Sequence, residues 1–296
     1  MEIQISNLSK IYPGGQKALD NINLNIREGM FGLLGPNGAG KSTLMRILVT
    51  MMQATSGEVL INGQDINKIR KELRKKLGYL PQDFRFFGRF RSWEFLDYAA
   101  RLAGMTSKKE RQARVDKMLQ DVGLAHVRNR MANKLSGGMK RRLGIAQALI
   151  AEPSIIIVDE PTTGLDPEER IRFRNILSDL SHTDTIIILS THIVGDISST
   201  CNQMALLNEG ELVYDGAPET LVENTKGFVW QAMVSQDQYD NMKENYPVIS
   251  TIPSGEGWEI QFVGEKPEGI DAFQIHPNLE HAYVHFMENK LNHWNL

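Results

Sequence analysis

The chain is short of cysteine, of long apolar runs and of net charge, and each shortage excludes a class of protein. Cys201 is the sole cysteine among 296 residues, so neither an intrachain disulfide nor a cysteine cluster is open to it. Such usage fits a reducing compartment. The longest apolar runs, Ile155–Val158 and Ile186–Leu189, fall far short of the ~20 residues that cross a bilayer as a helix. A role at a membrane therefore needs a partner that crosses it. The opening residues MEIQISNLSK lack the charged segment and apolar run of a secretory leader, and none is expected. A net charge of −3 exerts no general pull toward nucleic acid or anionic lipid. No internal repeat or low-complexity tract is present, and the length suits one or two domains.

What is present reads as alternating strands and helices. Met1–Ile5 and Ile22–Ile26 alternate apolar with polar residues, as half-buried strands do. Tyr12-Pro13-Gly14-Gly15 between them is a turn. Met30–Leu34 is a short apolar strand running into a glycine-rich loop, and a helix follows from Lys41 to about Thr50. Ser56-Gly57 and Asn62-Gly63 bracket Glu58–Ile61, which predicts a hairpin. From Trp93 to about Arg130, Phe95, Leu96, Ala99, Leu102, Val115, Met118, Leu119 and Val122 recur at helical spacing, which predicts a helical insertion. Ile155–Val158 and Ile186–Leu189 have the unbroken apolar character of strands covered on both faces. Helical patterns separate them, so the middle of the chain is α/β with a parallel sheet. The basic runs Lys68–Lys76 and Lys108–Lys117 read as solvated helix faces. No nucleic-acid module accompanies Lys140-Arg141-Arg142.

Near Thr225 the character shifts. Gly227–Ser235 and Gly257–Val263 read as strands. Pro277 opens a last helix with Leu279, Ala282, Tyr283, Phe286 and Met287 on one face. The expected division is 1–224, with a helical part at about 84–150, and a small α/β accessory domain at 225–296.

Gly35-Pro36-Asn37-Gly38-Ala39-Gly40-Lys41-Ser42 matches the phosphate-binding pattern Gly-x-x-x-x-Gly-Lys-Ser/Thr, between a strand and a helix as that pattern requires. Its glycines let backbone amides approach phosphates, and the helix N-terminus adds partial positive charge. Lys41 supplies a full charge, and the Ser42 hydroxyl can hold Mg2+. These residues and the adjoining Thr43 are the candidate nucleotide site. Ile155–Val158 ends in Asp159 and Glu160, where ligands bind at the carboxyl ends of strands in an open sheet. Asp159 is placed to hold Mg2+. Glu160 is the candidate base that polarises an attacking water. Leu135-Ser136-Gly137-Gly138-Met139 precedes a helical pattern at Lys140–Ile150, with Ser136 as a good N-cap. Taken alone it reads as a capped helix.

The order of these motifs resembles the nucleotide-binding subunits of ABC transporters over about Met1–Leu221. Leu-Ser-Gly-Gly at 135–138 is similar to the signature motif of that family. Gln82 in Tyr79-Leu80-Pro81-Gln82 is similar to its Q-loop glutamine. Gly164-Leu165-Asp166 is similar to its D-loop, His192 in Ser190-Thr191-His192 to its switch histidine, and Tyr12 to its adenine-stacking aromatic. Singly, Tyr12 reads equally as a turn aromatic, Gln82 as a solvated loop residue and His192 as structural. The resemblance implies a P-loop cassette with a mainly parallel core, an antiparallel N-terminal β subdomain and a helical insertion. It implies an Mg2+-dependent ATPase with Glu160, His192 and Gln82 catalytic and Ser42, Gln82 and Asp159 around the metal. It further implies a head-to-tail dimer, expected as a homodimer with a heterodimer the other choice; both half-sites look complete. ATP lies there between one chain's Gly35–Thr43 and the other's Ser136, Gly137, Gly138 and Asp166. The partners implied are a transmembrane permease and a second ATP-binding subunit, not nucleic acid, and the place is the cytoplasmic face of the cell membrane. Asp83–Trp93 would face the permease, its aromatics Phe84, Phe86, Phe87, Phe90 and Trp93 either receiving a permease helix or packing inside the insertion. Pro277-Asn278-Leu279-Glu280-His281-Ala282-Tyr283 resembles a terminal motif of ATPases paired with ABC-2 type membrane subunits, which implies export. The alternative is a soluble ABC ATPase acting on ribosomes or nucleic acid.

Overall fold

The structure is a computed structural model that describes residues 1–84, 86, 89–181, 184–255 and 257–293. The chain divides into two compact units, Met1–Asp215 and Gly216–Leu296.

The first unit opens with a hairpin of β1 (Glu2–Ile11) and β2 (Lys17–Arg27), closed where Tyr12 N donates to Gln16 O at 2.8 Å. There follow β3 (Gly29–Leu34), α1 (Lys41–Leu48), β4 (Ser56–Ile61), β5 (Gln64–Asp65), α2 (Arg70–Lys75) and β6 (Leu77–Leu80). The helical part comprises α3 (Ser92–Leu102), α4 (Lys108–Asp121) and α5 (Gly137–Leu149). The chain then returns to the sheet with β7 (Ile155–Asp159), α6 (Pro167–Ser181), β8 (Ile186–Thr191), α7 (Val194–Ser198), β9 (Gln203–Asn208) and β10 (Glu211–Gly216). One antiparallel sheet has the order β2-β1-β4-β5, and a second sheet has the order β10-β9-β3-β8-β7-β6. The second is parallel from β9 to β6. Every residue of β7 and β8 is buried, as expected where crossover helices cover both faces.

Parallel register sets where the chemistry can sit. Leu34 pairs with Thr191, Asp159 with Ser190 and Leu80 with Val158. The loops that follow β3, β6, β7 and β8 therefore leave from one edge of the sheet. One core joins this sheet to the antiparallel sheet and α1, with Ile5, Leu19, Ile22, Phe31, Leu44, Met45, Ile157 and Ile188 among its members.

Both basic runs are mainly exposed, as solvated helix faces are, and some of their arginines also serve the backbone. Arg70 Nη2 and Arg74 Nη2 both donate to Thr50 O beyond the end of α1, the latter at 3.0 Å. Arg114 donates to Leu149 O and Ile150 O at the end of α5, both at 3.1 Å. Arginines thus satisfy carbonyls that a helix end leaves without partners. Thr50 itself turns left-handed (φ 58), so α1 stops at Leu48 rather than at Thr50. Buried Arg111 donates to Asp97 Oδ1 at 2.9 Å, and Arg101 donates to Asp97 Oδ2 at 2.8 Å. Burial pushes the Asp97 carboxyl up, but the two arginines outweigh it and hold it below the usual carboxylate value.

Of the aromatics after Gln82, Phe84 and Phe86 pack edge-on to Phe95 with ring centroids 6.0 and 5.0 Å away. Phe90 stacks on Tyr98 at 5.6 Å, and Arg128 lies over Trp93 at 5.1 Å. These four touch the helical part, yet none is fully buried, so each keeps an accessible face; Phe87 lies outside the described residues.

The second unit contains α8 (Pro218–Glu223), β11 (Val229–Val234), α9 (Gln236–Asn245), β12 (Val248–Ser254), β13 (Gly257–Val263), β14 (Ala272–Gln274) and α10 (Leu279–His293). Its antiparallel sheet has the order β12-β13-β11-β14 over a core of Ala232, Val234, Met242, Ile260, Phe262 and Ala272. The tail motif explains how α10 begins. His281 N donates to Asn278 Oδ1 at 2.9 Å, and Asn278 N donates back to His281 Nδ1 at 3.2 Å. With Nδ1 accepting, the ring's proton lies on Nε2, 3.2 Å from Gln261 Oε1. Gln261 in turn donates to Gln231 at 3.2 Å, so one polar thread ties α10 across β13 to β11. Among the described residues no helix is long and apolar enough to cross a membrane.

Candidate nucleotide site

The site begins where β3 hands over to α1. Gly40 caps the helix at φ 103, and a Cβ there would lie 2.5 Å from the Ala18 carbonyl oxygen. Left-handed backbone and close approach together require glycine. No side chain caps α1, and its first turn holds no acid. Its leading amides are therefore open to an anion. Lys41 is only 5% exposed, and its Nζ donates to Gly35 O at 2.6 Å and Pro36 O at 3.0 Å. Burial lowers the pKa of this ammonium, and the charges of Glu160 and Asp159 act the other way.

At the end of β7 the backbone of Glu160 turns left-handed (φ 44). Its N–H donates to Ser190 O and Ser190 Oγ, both at 3.1 Å. A non-glycine residue in this region costs of order 1–3 kcal/mol and persists only where its surroundings hold it. The result is a buried carboxylate on which four segments converge. Glu160 Oε2 accepts from Gln82 Nε2 at 3.1 Å and from Thr163 Oγ1 at 3.3 Å. His192 Nδ1 lies 3.3 Å from the same oxygen, and Lys41 Nζ lies 3.6 Å from Oε1. Next to it, Asp159 Oδ1 accepts from Ser190 Oγ at 2.6 Å and Ser42 Oγ at 3.3 Å.

A cavity of about 410 Å³ is lined by Asn37–Thr43, Gln82 and Glu160, and by Gln16, Lys17 and Ala18. Tyr12 is half-buried beside it, its hydroxyl 3.2 Å from Thr43 Oγ1 and 3.7 Å from Met52 Sδ. Ser136, Gly137, Gly138 and Asp166 do not line this cavity. Ser136 Oγ caps α5 by accepting from Met139 N at 3.3 Å, and Asp166 Oδ1 accepts from Glu169 N at 2.9 Å before α6. Sequence reasoning missed Gln16–Ala18, Ser190 and Thr163. Of these only Ser190 carried a signal, a hydroxyl closing an otherwise apolar strand.

Comparison with known proteins bears directly on this geometry. The family model described as ABC transporter matches residues 19–163. BcrA, a bacitracin transport ATP-binding protein of Bacillus licheniformis, is 36% identical over 213 residues, spanning 71% of this chain and 68% of BcrA. MetN 3, a methionine import ATP-binding protein of Bacillus cereus strain ATCC 10987, is 34% identical over 280 residues, spanning 90% of this chain and 81% of MetN 3. The chain belongs to the ABC transporter ATP-binding proteins. Among solved structures, the dimeric ATP-binding cassette MJ0796, in a post-hydrolysis state with ADP and Pi, matches with a TM-score of 0.67 at 29% identity. It covers 73% of this chain and 98% of that one.

An ABC cassette binds ATP and belongs to an ATPase family, and the polyphosphate chemistry fits this cavity. The open amides of α1 and the Lys41 ammonium supply positive charge next to a carboxylate able to accept a proton. The oxygens of Ser42 and Asp159 are the hard donors that suit Mg2+. Among the described residues no group of three or more His, Cys, Asp or Glu forms a metal site.

Proposed function

We propose that this ABC ATP-binding protein hydrolyses ATP with Mg2+ to power an ABC-2 type exporter whose membrane-crossing subunits are separate chains. It works as a homodimer at the cytoplasmic face of the cell membrane. The observation that carries the reading is the meeting of Lys41, Gln82, Thr163 and His192 on the Glu160 carboxylate beside the Gly35–Thr43 cradle.

In this mechanism Lys41 Nζ exchanges the carbonyls of Gly35 and Pro36 for phosphate oxygens. The backbone amides of Gly38–Thr43 hold the same oxygens, and Tyr12 stacks on the base. Glu160 takes a proton from water at a carboxylate oxygen. Its left-handed backbone aims that carboxylate, and Gln82 and Thr163 hold its orientation. His192 contacts the terminal phosphate. Ser42, Asp159 and Gln82 would hold Mg2+, which when bound offsets the charge that builds on phosphate oxygens. Ser136, Gly137, Gly138 and Asp166 of one chain complete the site of the other, and two-fold symmetry makes two equal sites and closes the assembly.

Export is supported by the Pro277–Tyr283 motif. The permease would dock on a groove of about 320 Å³ lined by Leu77, Phe84, Phe95, Tyr98 and Leu102. Tyr98 is 48% exposed there and Leu102 is 72% exposed. The test is reconstitution with the membrane subunits in inside-out vesicles. ATP hydrolysis should stop with EDTA or in Lys41→Ala, and substrate should move into the lumen. Leu102→Glu should end movement and spare basal hydrolysis. Movement out of the lumen would overturn export, and stimulation by RNA or DNA but not by the membrane subunits would overturn transport.

A further inference from the structure

α5 carries two adjacent arginines that turn inward, although their run Lys140-Arg141-Arg142 looks like a surface patch. Arg142 reaches the helical part, where Nη1 donates to Val122 O at 2.9 Å, and it pairs with Glu169 of α6 at 3.0 Å. Arg141 reaches the other way, to the catalytic edge of the sheet. Its Nε donates to Pro161 O at 3.0 Å. Nη1 donates to Pro81 O at 3.1 Å and Gln82 O at 2.8 Å, and Nη2 to Asp159 O at 2.9 Å and Glu160 O at 2.7 Å. One guanidinium thus spends all three nitrogens on five main-chain carbonyls. They belong to two segments, the turn after β6 that carries Gln82 and the end of β7 that carries Asp159 and Glu160. These carbonyls lie at or beyond the ends of the ladder, where strand pairing gives out and another donor must satisfy them.

The same side chain begins one helical turn after Ser136–Gly138. We propose that Arg141 is a positioning residue that makes the Ser136–Gly138 helix start and its own chain's Gln82 and Glu160 a single rigid body. A triphosphate gripped by Ser136–Gly138 against the partner's cradle then sets the geometry of the base in the chain that lends those residues. Occupancy of one site prepares the other. This rests on the dimer reading above. The planar fork matters, since an ammonium has three donors on one atom and cannot span five carbonyls in two segments.

The experiment uses the full-length chain as wild type, Arg141→Lys and Arg141→Ala. Steady-state hydrolysis of Mg·ATP gives kcat and the shape of the ATP dependence. Titration with trinitrophenyl-ATP in EDTA gives affinity without turnover, and thermal melting reports the fold. Arg141→Ala should lower kcat by about 10²-fold, the scale on which loss of positioning is felt. Its affinity for trinitrophenyl-ATP should stay at the wild-type value, and sigmoidal dependence on ATP should become hyperbolic. Arg141→Lys, which keeps the charge and some donors, should be intermediate in kcat with wild-type affinity. Wild-type kcat and sigmoidality in Arg141→Ala would overturn the proposal. So would parallel loss of kcat, affinity and melting temperature in both variants, which is the mark of a purely structural residue. A wild-type chain that hydrolyses no ATP would strike the proposed function instead.

Discussion

The starts of α1 and α5 are made of the same small residues and are built for different work. At α1, Gly40 takes the cap position in a left-handed conformation, no side chain covers the leading amides, and a buried lysine stands beside them. At α5, Ser136 satisfies the Met139 amide itself, while Gly137 stays exposed. A third start, at α10, is closed by the reciprocal bonds of Asn278 and His281. The comparison teaches that equal glycine content can serve a cradle within one chain or, in the proposed dimer, a face offered to the partner's nucleotide. What counts is which amides remain open and whether the strand ends bring a cation and a carboxylate to them.

The sharpest way to probe the contrast is to hold α1 loaded. Glu160→Gln should lower kcat by about 10²–10⁴-fold, the usual cost of losing a general base. ATP binding should survive, and a dimer should accumulate with ATP on size-exclusion chromatography. Normal turnover would place the base elsewhere. Next in size, Gly40→Ala forces a side chain into left-handed backbone against the Ala18 carbonyl. It should cost about 1–3 kcal/mol of stability in denaturant unfolding and weaken ATP binding. At α5 the matching change should behave differently. A Cβ at Gly137 meets nothing within 4 Å, so Gly137→Ala should melt at or slightly above the wild-type temperature, because alanine is the better helix former. In the Glu160→Gln background it should nonetheless weaken ATP-driven pairing about tenfold, or about 1.4 kcal/mol. Unchanged pairing would show that α5 stays out of the interface. The smallest effect belongs to α10. Burial lowers the His281 pKa below its ordinary 6.5, and Glu280 partly opposes this. Between the folded value and 6.5 the unfolded chain binds more protons, so stability is full above that window and falls as pH drops through it. Melting temperature followed across the window should decline on acidification, and His281→Gln should flatten the decline.

Local pattern was enough to find most elements. The four-residue runs at Ile155 and Ile186 read as buried strands because nothing polar interrupts them, and they pair in parallel at the centre of the sheet. The Gly35–Ser42 loop was legible because its phosphate chemistry is contiguous. Arg141 was not, because its five acceptors are main-chain carbonyls distant in sequence and invisible in residue types. The carbonyl partners of Arg70, Arg74, Arg111 and Arg114 were illegible for the same reason, although both basic runs are mainly exposed. The ring contacts of Phe84, Phe86 and Phe90 with Phe95 and Tyr98 of α3 were illegible because they join residues on separate turns of chain.

By itself the sequence determined the family, the buried central strands, the helical insertion and a contiguous loop of the phosphate-binding pattern. Those properties reside in contiguous patterns that bind or fold over a few residues. Only the tertiary structure decided that Glu160 turns left-handed under Ser190, that Gln82 and His192 arrive at one carboxylate oxygen, and that Arg141 bridges strand ends. Each of these depends on parallel strands lying in register, which brings together residues that the chain holds tens of positions apart.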